Sequence, residues 1–182
     1  VVVFLSGGDH YEAELSNFTA DGRTIHIILR MQIPGGLDSN GRLLSSVLDI
    51  TDRRNAETAL RESESNLSRA QAVAHVGSWY LDNRRDILTW SDETYRIFGI
   101  PLGKPLTQNA FMACIHPDDY KMVADAWNNA LQGAAPYDIE HRIVVNGETK
   151  WVHERAEFVT DPDGTIGRSI GTVQDITESR KT

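Results

Sequence analysis

Cysteine is almost missing from this sequence: Cys114 stands alone among 182 residues. That excludes an internal disulfide framework and fits a reducing compartment. Long apolar runs are missing too. The longest, Ile25 to Ile33, is broken by His26 and Arg30 and falls well short of the roughly 20 residues a helix needs to cross a bilayer. Val1 to Leu5 has no basic n-region and no cleavage site, so no signal peptide is read there. Basic blocks are absent and the net charge is -8. A nucleic-acid partner is therefore not expected, because displacing phosphate counterions takes a cationic surface. There is no Gly-rich phosphate loop and no nucleophile beside an arranged base, so this segment is not expected to be an enzyme. What remains is a cytoplasmic segment that makes no membrane contact.

The composition present, 40% hydrophobic and 24% charged, is that of an ordinary globular chain. It also holds a repeat. Asp49-Ile50-Thr51 recurs as Asp175-Ile176-Thr177, a shift of 126 (175 less 49). The same shift aligns Tyr11 with Tyr137, Glu14 with Glu140, Gly41 with Gly167, Arg42 with Arg168, Val47 with Val173 and Arg54 with Arg180. At the turn it slips by one, pairing Asp21-Gly22 with Asn146-Gly147. Two copies of one module follow. The first lacks a counterpart to the stretch ahead of Tyr137, and the chain has no initiator methionine, so an excised segment of a longer tandem protein is expected.

In the second copy, Gly77 to Leu81 and Ile87 to Trp90 read as strands joined at Asp82-Asn83-Arg84-Arg85. Ser91 or Asp92 caps a short helix through Phe98, stopped by Gly99 and Pro101. Gln108 to Cys114 reads as a short helix. Pro117 to Leu131 reads as an amphipathic one, with Tyr120, Val123, Ala124, Trp127, Ala130 and Leu131 on its apolar stripe. Strands Tyr137 to Val145 and Thr149 to Thr160 meet at Asn146-Gly147, a strong hairpin signal, and a last strand runs from Arg168 to Ile176. The order predicts an α+β fold, a five-stranded antiparallel sheet with helices on one face. A connector helix and a partial sheet of three strands precede it.

Gly77-Ser78-Trp79, Phe98-Gly99-Ile100, Ile115-His116-Pro117-Asp118-Asp119, Trp151-Val152, Asp163-Gly164 and Gly171-Thr172-Val173-Gln174-Asp175-Ile176-Thr177 follow in order. Together they resemble a PAS domain with its C-terminal PAC motif, over roughly residues 73 to 178. Residues 1 to 52 resemble only the last three strands of another. The expected division is 1–51 for the truncated copy, 52–75 for the connector helix, 76–178 for the complete domain, and 179–182 for the start of an output-side helix. The resemblance implies a sensory and dimerisation module of a bacterial histidine kinase or cyclic-dinucleotide enzyme. It also implies a cavity, with Ile97, Phe98, Met112, Ile115, Trp127, Val144, Val152 and Val173 as candidate lining.

Ala56, Leu60, Ser63, Leu67, Ala70 and Ala74 in the connector are spaced as a heptad seam, read either as a homodimer contact or as a solvated helix. His116-Pro117-Asp118-Asp119 reads as a helix start, with Pro at the first position and carboxylates at the positive end; no metal site is expected. His141 and His153 read as a surface pair. Cys114 lacks the Gly-Arg-Asn-Cys context of light-oxygen-voltage flavin domains and reads as a small buried hydrophobe. Haem is disfavoured because Pro117 to Leu131 contains no histidine.

Glu154 is the sharper feature. Ile25, Ile27, Leu29, Met31 and Ile33 form one apolar face in the first copy, and Glu154 falls where Leu29 stands. Arg142 shares that face if the hairpin loop has three residues. A structural ion pair of Arg142 with Glu154 or Glu140, or a polar pair that recognises a small ligand, then follows. At the strand ends, Thr51 and Thr177 are placed to cap the next helix, and Asp49 and Asp175 to hold the strand end. By resemblance, this is the junction where a signal passes onward. The Ile25 face is expected to be covered by another chain or by the connector helix.

Overall fold

The computed structural model describes residues 5–7, 10–32 and 43–181. The chain divides into two compact units, Val1–Glu64 and Ser65–Thr182. Ile33, Gly41 and Arg42, used above, lie outside the described residues.

The first unit is an antiparallel sheet in the order β1-β2-β3-β4, with β1 Leu5–Gly7, β2 His10–Phe18, β3 Thr24–Gln32 and β4 Leu44–Asp49. Among the described residues the three predicted strands are present, and a short fourth, β1, is added at their edge. Leu5–Gly7 pairs with the open side of β2, whose N–H and C=O groups would otherwise be an unpaired edge. The Ile25 face is half-buried and not closed: Ala13 on β2 is buried, whereas Val47, opposite Leu29, is 61% exposed. From β4 the chain enters α1, Thr51–Ala74, in which no residue is buried. Its Leu60 and Leu67 are each 61% exposed, so the connector does not bury its seam within this chain.

The second unit is a five-stranded antiparallel sheet in the order β6-β5-β9-β8-β7. Its strands are β5 Val76–Asp82, β6 Ile87–Trp90, β7 Tyr137–Val145, β8 Glu148–Thr160 and β9 Ile166–Asp175. Strict alternation in β5 and β9 turns one face inward. The helices α2 Asp92–Phe98, α3 Gln108–Met112 and α4 Tyr120–Leu131 come between β6 and β7. Ser91 caps α2 by accepting from the Thr94 N–H, and Thr107 caps α3 in the same way from Ala110. The core joins Trp79, Leu81, Leu88 and Trp90 to Ile97, Phe98, Ile143, Val152 and Val173.

Two local differences matter below. Helix α4 begins at Tyr120 and not at Pro117, because Pro117 sits inside a turn closed by the Asp119 N–H donating to the His116 carbonyl. The β7–β8 hairpin has a two-residue turn. Asn146 and Gly147 both have positive φ, 52° and 85°, and Val145 pairs directly with Glu148.

Candidate functional site

The register of β7 and β8 decides which side chains face inward. His141 lies opposite Val152, Ile139 opposite Glu154 and Tyr137 opposite Ala156. Residues directly opposite share a face, so Tyr137, His141 and Glu154 point into the core. Arg142 lies opposite Trp151 on the outer face. The expected pairing of Arg142 with Glu154 is therefore overturned, the loop being one residue too short for it. Glu140 shares the outer face with Arg142 but pairs with Arg180, while Arg142 turns to Asp119. Val144, on the same outer parity, is 38% exposed and does not reach the interior cavity of the second unit.

Arg142 instead grips Asp119 at the head of α4. Its Nη2 lies 2.5 Å from Oδ1, and its Nε and backbone N–H lie 3.0 and 2.8 Å from Oδ2. These donors, the guanidinium foremost, hold the Asp119 carboxyl down at about 2, against the opposing effect of burial. Asp119 thus stabilises the fold above the ordinary carboxylate range near 3.8, and that contribution is lost as pH falls through about 2. Arg142→Ala is expected to cost about 1–2 kcal/mol at neutral pH and to flatten the acid limb of an unfolding curve measured between pH 5 and 2. Equal acid sensitivity in the variant would refute the assignment.

Inside the second unit lies a cavity with about 30 Å³ of space for the centres of water-sized molecules, room for about two waters or a group of like size. Trp79 and Leu81 of β5, Leu88 and Trp90 of β6, Gln108, Phe111 and Met112 of α3, Val123 and Trp127 of α4, and Tyr137 and Glu154 line it. Of the candidates named from sequence, Met112, Trp127 and Glu154 reach it. Ile97, Phe98, Ile115, Val152 and Val173 are buried in the surrounding core and do not line it. Trp79, Phe111 and Tyr137 were missed. The first follows from the β5 alternation, and the last from the two-residue turn.

The polar equipment is concentrated. Glu154 is 2% exposed. The Tyr137 hydroxyl donates to its Oε2 at 3.1 Å, and His141 Nε2 stands 3.5 Å from the same oxygen, close enough for charge attraction without a formed hydrogen bond. Burial pushes the Tyr137 hydroxyl well above 10, and the Glu154 charge adds to the shift. For His141, burial pulls downward, but contact with Glu154 and its charge outweigh this and leave the imidazole above 6.5. Trp79 Nε1 and His141 Nε2 are buried without hydrogen-bond partners. His141 and His153 do not meet: His153 is on the outer face, 2.5 Å from Asp138. Cys114 is half-buried; its thiol donates to the Ala110 carbonyl, and burial raises its pKa.

The strand ends are built alike in both units. In the second, the Thr177 hydroxyl accepts from the Trp151 N–H at 3.0 Å, Ile176 N–H donates to the Trp151 carbonyl, and Asp175 Oδ1 accepts from the Thr177 N–H. In the first, Thr51 accepts from His26, Ile50 donates to His26, and Asp49 accepts from Thr51. The threonine hydroxyl does not cap a helix from below, as sequence spacing predicts. It turns sideways to an open N–H of the neighbouring strand. Arg180 pairs with Glu140, and Arg54 with Glu14. Arg180 also lies 4.0 Å over the Trp151 ring, and Lys150 Nζ is 3.6 Å from Asp175.

Residues 87–173 match the family model of the PAS fold. The sensor protein FixL of Bradyrhizobium diazoefficiens is 28% identical over 107 residues, 58% of this chain and 21% of that protein. The probable diguanylate cyclase DgcE of Escherichia coli is 19% identical over 172 residues, 94% of this chain and 16% of that one. A crystal structure of a sensory box histidine kinase/response regulator from Burkholderia thailandensis superposes with a TM-score of 0.55 at 24% identity, covering 63% of this chain and 87% of that one. The chain spans only 16 to 33% of the length of these and other curated relatives. Among the described residues, no helix is long and apolar enough to cross a membrane.

Proposed function

We propose, from the premise that residues 87–173 are a PAS domain, that this chain is the sensory and relay part of a bacterial signalling protein. The output domain, a histidine kinase or a diguanylate cyclase, lies outside these residues. A small molecule enters the cavity, and its occupancy biases the junction at Asp175 and Thr177. The observation that carries the reading is the cavity itself: a buried carboxylate borders a space that apolar side chains do not fill, and Trp79, whose indole N–H has no partner, is part of its wall. Buried polar groups without partners are rare in a core that only packs.

The relay half has its own test in the parent protein. Asp175→Ala or Thr177→Ala removes one of the junction's bonds, each contributing about 1 kcal/mol. Output activity or its ligand response is expected to change by severalfold while the domain stays folded. Output that merely follows lost stability would reduce the junction to a strand terminus. The division into a truncated copy, a connector and a complete domain belongs to the same proposal, supported by the duplicated junction at Thr51.

A second reading, a ligand-free dimerisation module, is favoured by one observation: none of the 24 residues of α1 is fully buried, and Leu60 and Leu67 stand open. An isolated helix with no packed face is marginal in water. Sedimentation of the chain and of Leu60→Glu/Leu67→Glu tests it; a wild-type monomer would end the dimer reading.

A further inference from the structure

Glu154 is the one charged side chain in the cavity lining, and no Lys or Arg reaches it among the described residues. Both protein contacts of its carboxylate go to Oε2. Oε1 accepts no hydrogen bond among the described residues. Around it stand the rings of Trp79, Trp90, Phe111, Trp127 and Tyr137. Aromatic faces carry negative potential and attract cations, most strongly where water is excluded. A carboxylate or phosphate ligand would meet like charge at Glu154 with no cation to offset it.

We propose that the cavity takes a small organic ammonium, about two or three heavy atoms in its enclosed part. Its N–H donates to Glu154 Oε1 and its alkyl group lies against the rings. This rests on the reading of the cavity as a ligand site. His141 is the competing cation, 3.5 Å from Oε2, so binding is strongest in alkaline buffer, where the imidazole is neutral.

The test titrates the chain with methylammonium and ethylammonium chloride in alkaline buffer at constant ionic strength. Methanol and ethanol serve as neutral controls, and formate and acetate as anionic ones. Tryptophan emission reports directly, since three of the four tryptophans line the cavity; native mass spectrometry gives the stoichiometry. The expected result is saturable one-to-one binding of the ammonium ions, with no response to the anions and at least a tenfold loss in Glu154→Gln. Should that variant not fold, Tyr137→Phe is the alternative. Removing the hydroxyl that donates to Oε2 is expected to tighten methylammonium binding severalfold, and unchanged or weaker binding would overturn the assignment. Alcohols or acids binding as well as the amines, or Glu154→Gln binding normally, would overturn the ligand class while leaving a ligand cavity. No binding by any probe, together with an empty protein purified from its host, would remove the cavity reading as well.

Discussion

Gly171→Ala is expected to destabilise the second unit by about 3 kcal/mol, lowering its Tm by roughly 10 °C or more. A Cβ built on Gly171 would lie 2.3 Å from the Arg155 carbonyl oxygen and 2.3 Å from the Trp79 ring. Neither neighbour can yield cheaply. The carbonyl belongs to β8, held in register on both sides by β7 and β9. The indole is wedged beside Trp127, with ring centres 6.0 Å apart. The demand is for space, not for an unusual backbone angle, so even the smallest side chain is too large. Thermal unfolding of wild type and variant, followed by far-ultraviolet circular dichroism, measures the loss. An unchanged Tm would mean that the strand separation at this point is wider than described.

Glu154→Ala is expected to cost about 3 kcal/mol near pH 6 and markedly less near pH 9. The difference comes from His141. Its folded pKa lies above the ordinary 6.5 because Glu154 outweighs burial. The stabilisation from protonated His141 is therefore fully present below 6.5 and disappears as pH rises through the folded value. With the carboxylate gone, burial is opposed only by the Arg142 carbonyl and the Asp119 charge, so the stabilisation of the protonated imidazole shrinks and the variant gains stability relative to wild type as the solution becomes alkaline. Denaturant unfolding at a series of pH values, for wild type, Glu154→Ala and Glu154→Gln, reads this directly. A pH-independent cost would show that Glu154 serves packing and not the histidine.

Much of the second unit can be read from sequence because turn chemistry and periodicity agree along it. Ser91 and Gly99 bracket α2, Asn146-Gly147 joins β7 to β8, and the apolar stripe of α4 runs through Val123 and Trp127. The start of α4 is misread because Pro at a first helical position and Pro at the second position of a tight turn leave the same trace; only the Asp119 contact with Arg142 separates them. Glu154 is visible as a charge interrupting an apolar alternation. Its partners are not, since Tyr137 and His141 become its neighbours only through cross-strand register. The sideways use of Thr51 and Thr177 is equally hidden, because the accepting hydroxyl and the donating N–H are 25 and 26 residues apart.

The two-residue turn at Asn146-Gly147 also sets the polarity of the molecule's interior. With β8 held by β9, closing the same chain through a three-residue turn, 146–148, would slide β7 by a single position. Every side chain of β7 would then change sides. Arg142 would come to lie opposite Val152, facing the space now bordered by Glu154, while Tyr137 and His141 would turn to solvent. Glu154 itself would stay in place, so its anion would be answered by a guanidinium. The proposed preference for cations would give way to an internal ion pair. The charge balance that a ligand would meet in this cavity is thus set at the tip of a hairpin, by turn length alone and without any substitution in the cavity wall.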